Sequence, residues 1–142
     1  MTQEDKQLLL KDLCARLPYG VKLDFYSNAT KQHYISTLIG IEPDGERPII
    51  AKVENGAYTL GQDHIKPYLR PMSSMTEEER SELSREVEKS ELGISDEIKN
   101  GFITDIAMSS WVVVSYCLKK HLDINCLIEK GLALEATEGM YN

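Results

Sequence analysis

The sequence lacks several features that would assign a function class directly. No apolar run approaches the roughly 18 residues of a membrane-spanning helix. The opening MTQEDKQLLLKDL has neither the basic region nor the small-residue cleavage site of a signal peptide. The glycine patterns that cradle phosphates, GxxxxGK(S/T) and GxGxxG, do not occur. We therefore expect a cytoplasmic protein without membrane contact or a phosphate-binding loop.

Cysteine is scarce, and its spacing indicates no site. Cys14, Cys117 and Cys126 include no CxxC pair, so we expect reduced, mostly buried thiols. Cys117, His121 and Cys126 form a C-x3-H-x4-C pattern that would suit a zinc ion. No fourth ligand stands at a standard spacing, so we expect neither a metal nor another cofactor.

Positive charge is in deficit. The net charge is −7, and the excess lies in residues 76–142, which hold seven Lys or Arg against fourteen Asp or Glu. Residues 1–75 hold nine of each. An acidic surface repels phosphate backbones, so we expect no nucleic-acid partner.

The first half of the chain is patterned as a helix followed by a sheet. Leu9, Leu13 and Leu17 give residues 3–17 an apolar helical stripe, and Thr2 can cap that helix. Alternating and β-branched residues then predict short strands at Val21–Tyr26, Tyr34–Ile41, Pro48–Val53, Tyr58–Leu60 and Ile65–Leu69. Asn55-Gly56 is a hairpin signal. The expected structure is an antiparallel meander covered by the helix, with a curled, small-barrel-like sheet as the alternative.

Prolines separate this half from a helical half. Pro67 cannot donate a ladder hydrogen bond, which predicts that Ile65–Leu69 is an edge strand. Residues 71–75 form a junction, and Thr76 with Glu79 can form a capping box. We expect one α+β domain over residues 1–142, divided into 1–70, 71–75 and 76–142.

The helical half begins with a strongly charged helix over residues 76–92, either peripheral or an interface, because its apolar stripe is thin. A short turn can follow Gly93. Residues 104–121 carry a broad apolar face that predicts a buried helix with Trp111 in the core, while Val112–Val114 leave a strand as the second reading. A short helix is expected at Cys126–Lys130, with Leu132–Leu134 as a last apolar contact.

Candidate binding residues cluster near the junction. Lys66, Tyr68 and Arg70 alternate on one side of the predicted edge strand, where they could contact a ligand or guard the edge from pairing. Asp63-His64 invites an acid/base interpretation, but no nucleophile motif accompanies it. We therefore take His64 as a further candidate binding residue and expect no catalytic residues.

Three segments resemble a known set of proteins. The opening TQEDKQLLLKDLCARLPYGVK, the central IKPYLRPMSSMTEEER and the closing LIEKGLALEATEGMYN are similar to segments of small hypothetical proteins from gut anaerobes, their prophages and phages. The resemblance covers roughly a third of the chain and implies a genomic setting rather than a mechanism.

The features together favour a non-enzymatic phage or mobile-element accessory protein, in a bacterial cytoplasm, that binds another macromolecule. A protein partner or self-association is expected. The alternative is a protein that binds or sequesters a small molecule such as a signalling nucleotide, with Lys66, Tyr68 or Arg70 as polar anchors.

Overall fold

The structure is a computed structural model that describes residues 2–44, 47–54, 56–60, 64–92 and 105–141. The predicted α+β class is confirmed. The helices are α1 (Gln3–Arg16), α2 (Glu77–Leu92) and α3 (Asp105–Lys119). The strands are β1 (Lys22–Ser27), β2 (Gln32–Asp44), β3 (Arg47–Val53), β4 (Gly56–Leu60), β5 (Ile65–Leu69) and β6 (Leu134–Glu135). Short 3-10 helices follow α1 at Leu17–Tyr19 and β5 at Met72–Ser74.

The described strands form one sheet in the order β4-β3-β2-β1-β5-β6. The first four are antiparallel neighbours along the chain, as the sequence predicts. β5 then returns to the other side of β1, where Pro67 lies opposite Leu23. Because β4 and β6 lie at opposite edges, the described sheet is open, and the barrel-like alternative is wrong.

The predicted edge position of β5 is wrong for its last two residues. The short strand β6 pairs with β5 in parallel, at Tyr68 and Leu69. The N–H of Ala136 extends this contact by donating to the carbonyl of Leu69 at 2.7 Å. Pro67 is compatible with this arrangement because β6 pairs only with the two residues that follow it.

One face of the sheet packs against α1. That helix begins with a capping box in which Thr2 Oγ1 accepts from the Asp5 N–H and Asp5 Oδ2 accepts from the Thr2 N–H, both at 3.1 Å. Leu9 and Leu13 are fully buried against the sheet, and each contributes about 2 kcal/mol by leaving water. The other core residues are Val21, Leu23, Phe25, Leu38, Ala51, Val53, Ile65, Leu69, Leu127, Leu132 and Ala133.

A buried polar cluster attaches α1 to the C-terminal part of the chain. Arg16 and Asp12 are one helical turn apart and have no exposed side-chain surface, with Arg16 Nε donating to Asp12 Oδ2 at 2.7 Å. Arg16 Nη2 also donates to the carbonyl of Leu122 at 2.8 Å, and Asn125 Nδ2 donates to Asp12 Oδ1 at 2.8 Å. These bonds fix the segment after α3 on the end of α1.

The predicted helix at Cys126–Lys130 is wrong, because this stretch forms turns. The carboxylate of Asp123 accepts the N–H groups of Leu127 at 2.8 Å and Ile128 at 2.9 Å, and Cys126 has a positive φ of 56°. Such side-chain bonds to the backbone compete with helix propagation. The predicted apolar contact after these turns is confirmed, since Leu132 is buried.

The helix predicted through Val112–Val114 is confirmed, and the strand alternative is wrong. The predicted burial of Trp111 is also wrong, because its side chain is 69% exposed.

The prediction that the cysteines are mostly buried is wrong. Cys117 is buried, whereas Cys14 and Cys126 are exposed.

Three predicted features fall outside the described residues: Asn55 of the hairpin signal, Asp63, and the turn after Gly93. Within the described part of the chain, no helix combines the length and apolarity needed to cross a bilayer.

Candidate functional site

The four predicted binding residues do not converge on one site. Lys66 and Tyr68 alternate with the buried residues of β5 and therefore lie on the sheet face opposite α1. His64 and Lys66 line a shallow depression on that face. Arg70 lies beyond the end of β5 and lines a different cavity.

Arg70 is occupied by internal contacts. Its Nη1 donates to Glu79 Oε2 at 2.9 Å and to the carbonyl of Lys120 at 3.3 Å. Its Nη2 donates to Glu79 Oε1 at 2.7 Å and to the carbonyl of Ser74 at 3.0 Å. All four Nη–H groups are thus used, so Arg70 acts as a structural cross-link between β5, α2 and α3 rather than as a ligand anchor.

Glu79 serves two contacts at once. Its Oε1 also accepts the N–H of Thr76 at 3.1 Å, while Thr76 Oγ1 accepts the N–H of Glu79 at 3.1 Å, which confirms the predicted capping box. The hydrogen bonds from Arg70 and from the Thr76 backbone lower the pKa of Glu79 to about 2. The carboxylate is therefore ionised throughout the physiological range and does not act as an acid.

The cavity beside Arg70 has a volume of about 790 Å³ and lies between the end of α3 and the C-terminal segment. His121 and Tyr141 form part of its wall, stacked with ring centroids 3.6 Å apart and planes 13° apart. Burial, with smaller contributions from Arg16 and Arg70, lowers the pKa of His121 to about 4. Its Nδ1 is buried without a hydrogen-bond partner. At neutral pH the imidazole is therefore uncharged, and no carboxylate accepts a hydrogen bond from its Nδ1.

His121 also ends α3. The N–H of Leu122 bonds to the carbonyl of Cys117 at 2.9 Å, and the N–H of His121 bonds to the carbonyl of Leu118 at 3.1 Å. This is the Schellman pattern, which places His121 at the left-handed position where glycine is usual; its φ is 60°. The residue is therefore placed by the helix end and by stacking.

A second group of polar side chains lies on the sheet face opposite α1. Asp24 Oδ2 of β1 lies 2.8 Å from His33 Nδ1 of β2 and accepts a hydrogen bond in the tautomer that carries the proton on Nδ1. Tyr26 lies between two imidazoles, with ring centroids 5.1 Å from His33 and 6.4 Å from His64. These residues and Lys66 line a depression of about 260 Å³.

The sequence pointed to only part of this group. His64 and Lys66 are predicted candidates, whereas Asp24, Tyr26 and His33 are not. The β1–β2 register, in which Tyr26 lies opposite His33, was the missing information. Alternation along Lys22–Ser27 could have placed Asp24 and Tyr26 on one face, because successive side chains of a strand point to opposite faces.

The third region is the surface of α3. Trp111, Val113 and Val114 are 69%, 37% and 38% exposed. At 100° per residue Trp111 and Val114 lie about 60° apart on one side of α3, whereas Val113 points away from Trp111, so the apolar surface of this helix is not one buried stripe. From Trp111 onward, the buried residues of α3 are Tyr116, Cys117 and Leu118.

A groove runs between α3 and α2, which pack against each other. Tyr116 fixes the pair by donating to Glu82 Oε2 at 2.9 Å. Lys120 adds an ion pair to the same carboxylate oxygen at 3.8 Å. The groove, of about 180 Å³, is lined by Tyr19, Glu86, Trp111, Val112, Ser115, Tyr116 and Lys119, and is called the α2–α3 groove below.

The zinc pattern is not assembled. Cys117 is buried while Cys126 is exposed. Across the described residues, no group of three His, Cys, Asp or Glu side chains is placed to hold a metal ion.

Comparisons with models of protein families, with curated proteins and with solved structures find no match.

Proposed function

We propose that this chain is a non-enzymatic phage or mobile-element accessory protein that binds another protein molecule through α3, in the cytoplasm of a bacterial host. The observation that carries the proposal is the exposure of Trp111, at 69% of its surface. Tryptophan is among the residues most enriched at the energetic centres of protein interfaces. The phage setting is supported by the resemblance of the three sequence segments.

The surroundings of Trp111 have the composition of a binding surface. Val113 and Val114 add exposed apolar area, and a helix that is apolar on several sides is normally covered. The neighbouring helix α2 contributes exposed carboxylates such as Glu86 at the border. An apolar centre with a charged border is the usual anatomy of a protein interface.

The test is affinity capture from an extract of host cells with the wild-type protein, Trp111→Ala and Ile39→Ala. Ile39 is a matched control because it is 58% exposed but lies on β2, away from α3. We expect the wild type and Ile39→Ala to capture the same protein, and Trp111→Ala to weaken capture about 30-fold. Equal capture by Trp111→Ala, or no Trp111-dependent binding at all, would contradict the proposal.

The depression around Tyr26 supports a second candidate function, the binding of a small molecule such as a signalling nucleotide. It places two imidazoles, a phenol and the ammonium of Lys66 around Asp24, so that a planar anionic ligand would find ring faces and positive charge together. A ligand at 100 times its dissociation constant raises stability by about 2.7 kcal/mol. Thermal-shift screening of nucleotides should then show a stabilising ligand whose effect is lost in Lys66→Ala, and a flat response would remove this candidate.

A further inference from the structure

The α2–α3 groove carries opposite charges at separate positions. Arg70 bonds to both Glu79 and the carbonyl of Lys120, and Tyr116 bonds to Glu82, so α2 runs antiparallel to α3. Glu86, one turn beyond Glu82, therefore lies further toward Trp111 along the groove, whereas Lys119 lies at the C-terminal end of α3. Neither side chain forms an ion pair with another residue in the described part of the chain. Among the described residues, the groove therefore carries one charge of each sign without an ion-pair partner, at separate positions along the helix axis.

Such a distribution is self-complementary. Trp111 and Lys119 lie four positions either side of Ser115, so they are separated by about 12 Å along α3. A two-fold axis through Ser115, perpendicular to the helix, would exchange the two ends of the groove. It would bring Glu86 and Trp111 of one copy opposite Lys119 of the second copy.

We propose that the protein partner of α3 is a second copy of this chain, bound in an antiparallel α3–α3 contact centred on Ser115. The inference rests on the proposed function and specifies its partner. In a two-fold contact each surface patch faces its own equivalent, so each pairing occurs twice. The contact forms two Glu86–Lys119 ion pairs and buries both copies of Trp111.

The residue types suit this contact. Ser115 is small, and interaxial distances in helix pairs shorten when the side chains at the crossing are small. The ammonium of Lys119 would lie over the indole of Trp111 in the second copy, which is the best aromatic ring for a cation–π contact. The contact also covers Val114 beside Trp111, removing from water apolar surface that the described residues leave exposed.

Two measurements on the full chain test the association. Light scattering should give twice the chain mass at high concentration and the chain mass on dilution. Trp111 is the only tryptophan, so its emission should shift to shorter wavelength and become less accessible to acrylamide as the concentration rises. Trp111→Phe keeps an apolar ring while removing the signal, and it should retain most of the association.

Charge exchange tests the geometry. Glu86→Lys and Lys119→Glu should each weaken self-association about tenfold, since each places like charges across the two-fold contact. The double variant Glu86→Lys/Lys119→Glu restores opposite charges and should return association to near the wild-type level. Arg80→Glu, on α2 but outside the groove, is the matched control and should leave it unchanged.

The outcomes separate this inference from the proposed function. A wild type that stays monomeric at the highest attainable concentration, with constant tryptophan emission, overturns the self-pairing. So does a dimer in which the double variant is no stronger than the single variants. In either case Trp111-dependent capture of a different protein would leave the proposed function standing, whereas a loss of both would overturn both.

Discussion

Arg70 and Glu79 meet in a two-point contact, with Nη1–Oε2 at 2.9 Å and Nη2–Oε1 at 2.7 Å. The pair joins the end of the sheet to the first turn of α2, and both side chains are largely buried, at 23% and 14% exposed. Charge at the junction therefore acts within one chain, between a cation that follows β5 and an acid that caps α2.

Replacing Arg70 should destabilise the protein more than removing a surface ion pair. Arg70→Met removes four hydrogen bonds and leaves the Glu79 carboxylate partly buried, so the free energy of unfolding should fall by about 2–3 kcal/mol. Urea unfolding measures the change. Arg80→Met is the matched control, because its pair with Glu77 is exposed on both sides and should contribute little. Equal losses of unfolding free energy in the two variants would show that the Arg70–Glu79 contact stabilises the protein no more than an exposed ion pair does.

His121 should make stability depend on pH. Its folded pKa of about 4 lies below the ordinary value of 6.5, so between these values the unfolded chain binds the proton more readily. Stability should therefore fall as the pH is lowered through this window, by about 2 kcal/mol between pH 7 and pH 5. Urea unfolding of His121→Asn provides the comparison, since Asn tolerates the left-handed conformation and does not titrate. The same loss in that variant would exclude His121 as the cause.

The phenol of Tyr141 bridges the backbones of β1 and β5 by hydrogen bonds. Its hydroxyl accepts the N–H of Lys22 at 2.8 Å and donates to the carbonyl of Tyr68 at 2.7 Å. Tyr141→Phe leaves both backbone groups without these partners and should cost about 1–2 kcal/mol. The amide of Lys22 should exchange faster with deuterium in the variant. Tyr34→Phe is the control, because among the described residues its hydroxyl bonds to Thr30 and Gln32, which are exposed.

The buried pair of Asp12 and Arg16 should respond differently to single and double replacement. Asp12→Ala leaves a guanidinium buried without its carboxylate and should destabilise the protein by about 3–5 kcal/mol. Asp12→Leu/Arg16→Met removes both charges and should lose less than the single variant, measured by chemical denaturation. A double variant at least as unstable as Asp12→Ala would mean that the bonds to Leu122 and Asn125 dominate instead.

Local patterns predicted most of the secondary structure. The two capping boxes, at Thr2 and at Thr76, follow from side chains three residues apart, and the bounds of Ile65–Leu69 follow from alternation. The pairing of β5 with β1 could not be read in the same way. Strand alternation specifies which face a residue occupies, but it does not specify which strand lies beside it.

Two errors have a common origin in long-range contacts. Apolar residues on several turns of α3 predict a buried Trp111, but its side chain is exposed, and from Trp111 onward the buried residues of this helix are Tyr116, Cys117 and Leu118. Turns replaced the expected helix at Cys126–Lys130 because Asp123 bonds the following N–H groups. Neither the reach of the core along α3 nor the choice of Asp123 partners is a periodic signal.

The candidate surfaces were predictable only in part, for the same reason. His64 and Lys66 could be named from the junction, but Asp24 and His33 join them only through the β1–β2 and β1–β5 pairings. In the α2–α3 groove, Glu86 and Trp111 come from separate helices whose antiparallel packing had to be known first.

The bond between Tyr141 and Lys22 also constrains when this protein can finish folding during its synthesis. The two residues are 119 positions apart, and the contact of Arg16 with Leu122 spans 106 positions. A ribosome releases the chain from its N-terminus, so α1 and the first strands emerge long before either partner exists. Until then the N–H of Lys22, the carbonyl of Tyr68 and the guanidinium of Arg16 lack these hydrogen-bond partners. Incompletely paired strands of this kind are the species that chaperones protect from aggregation.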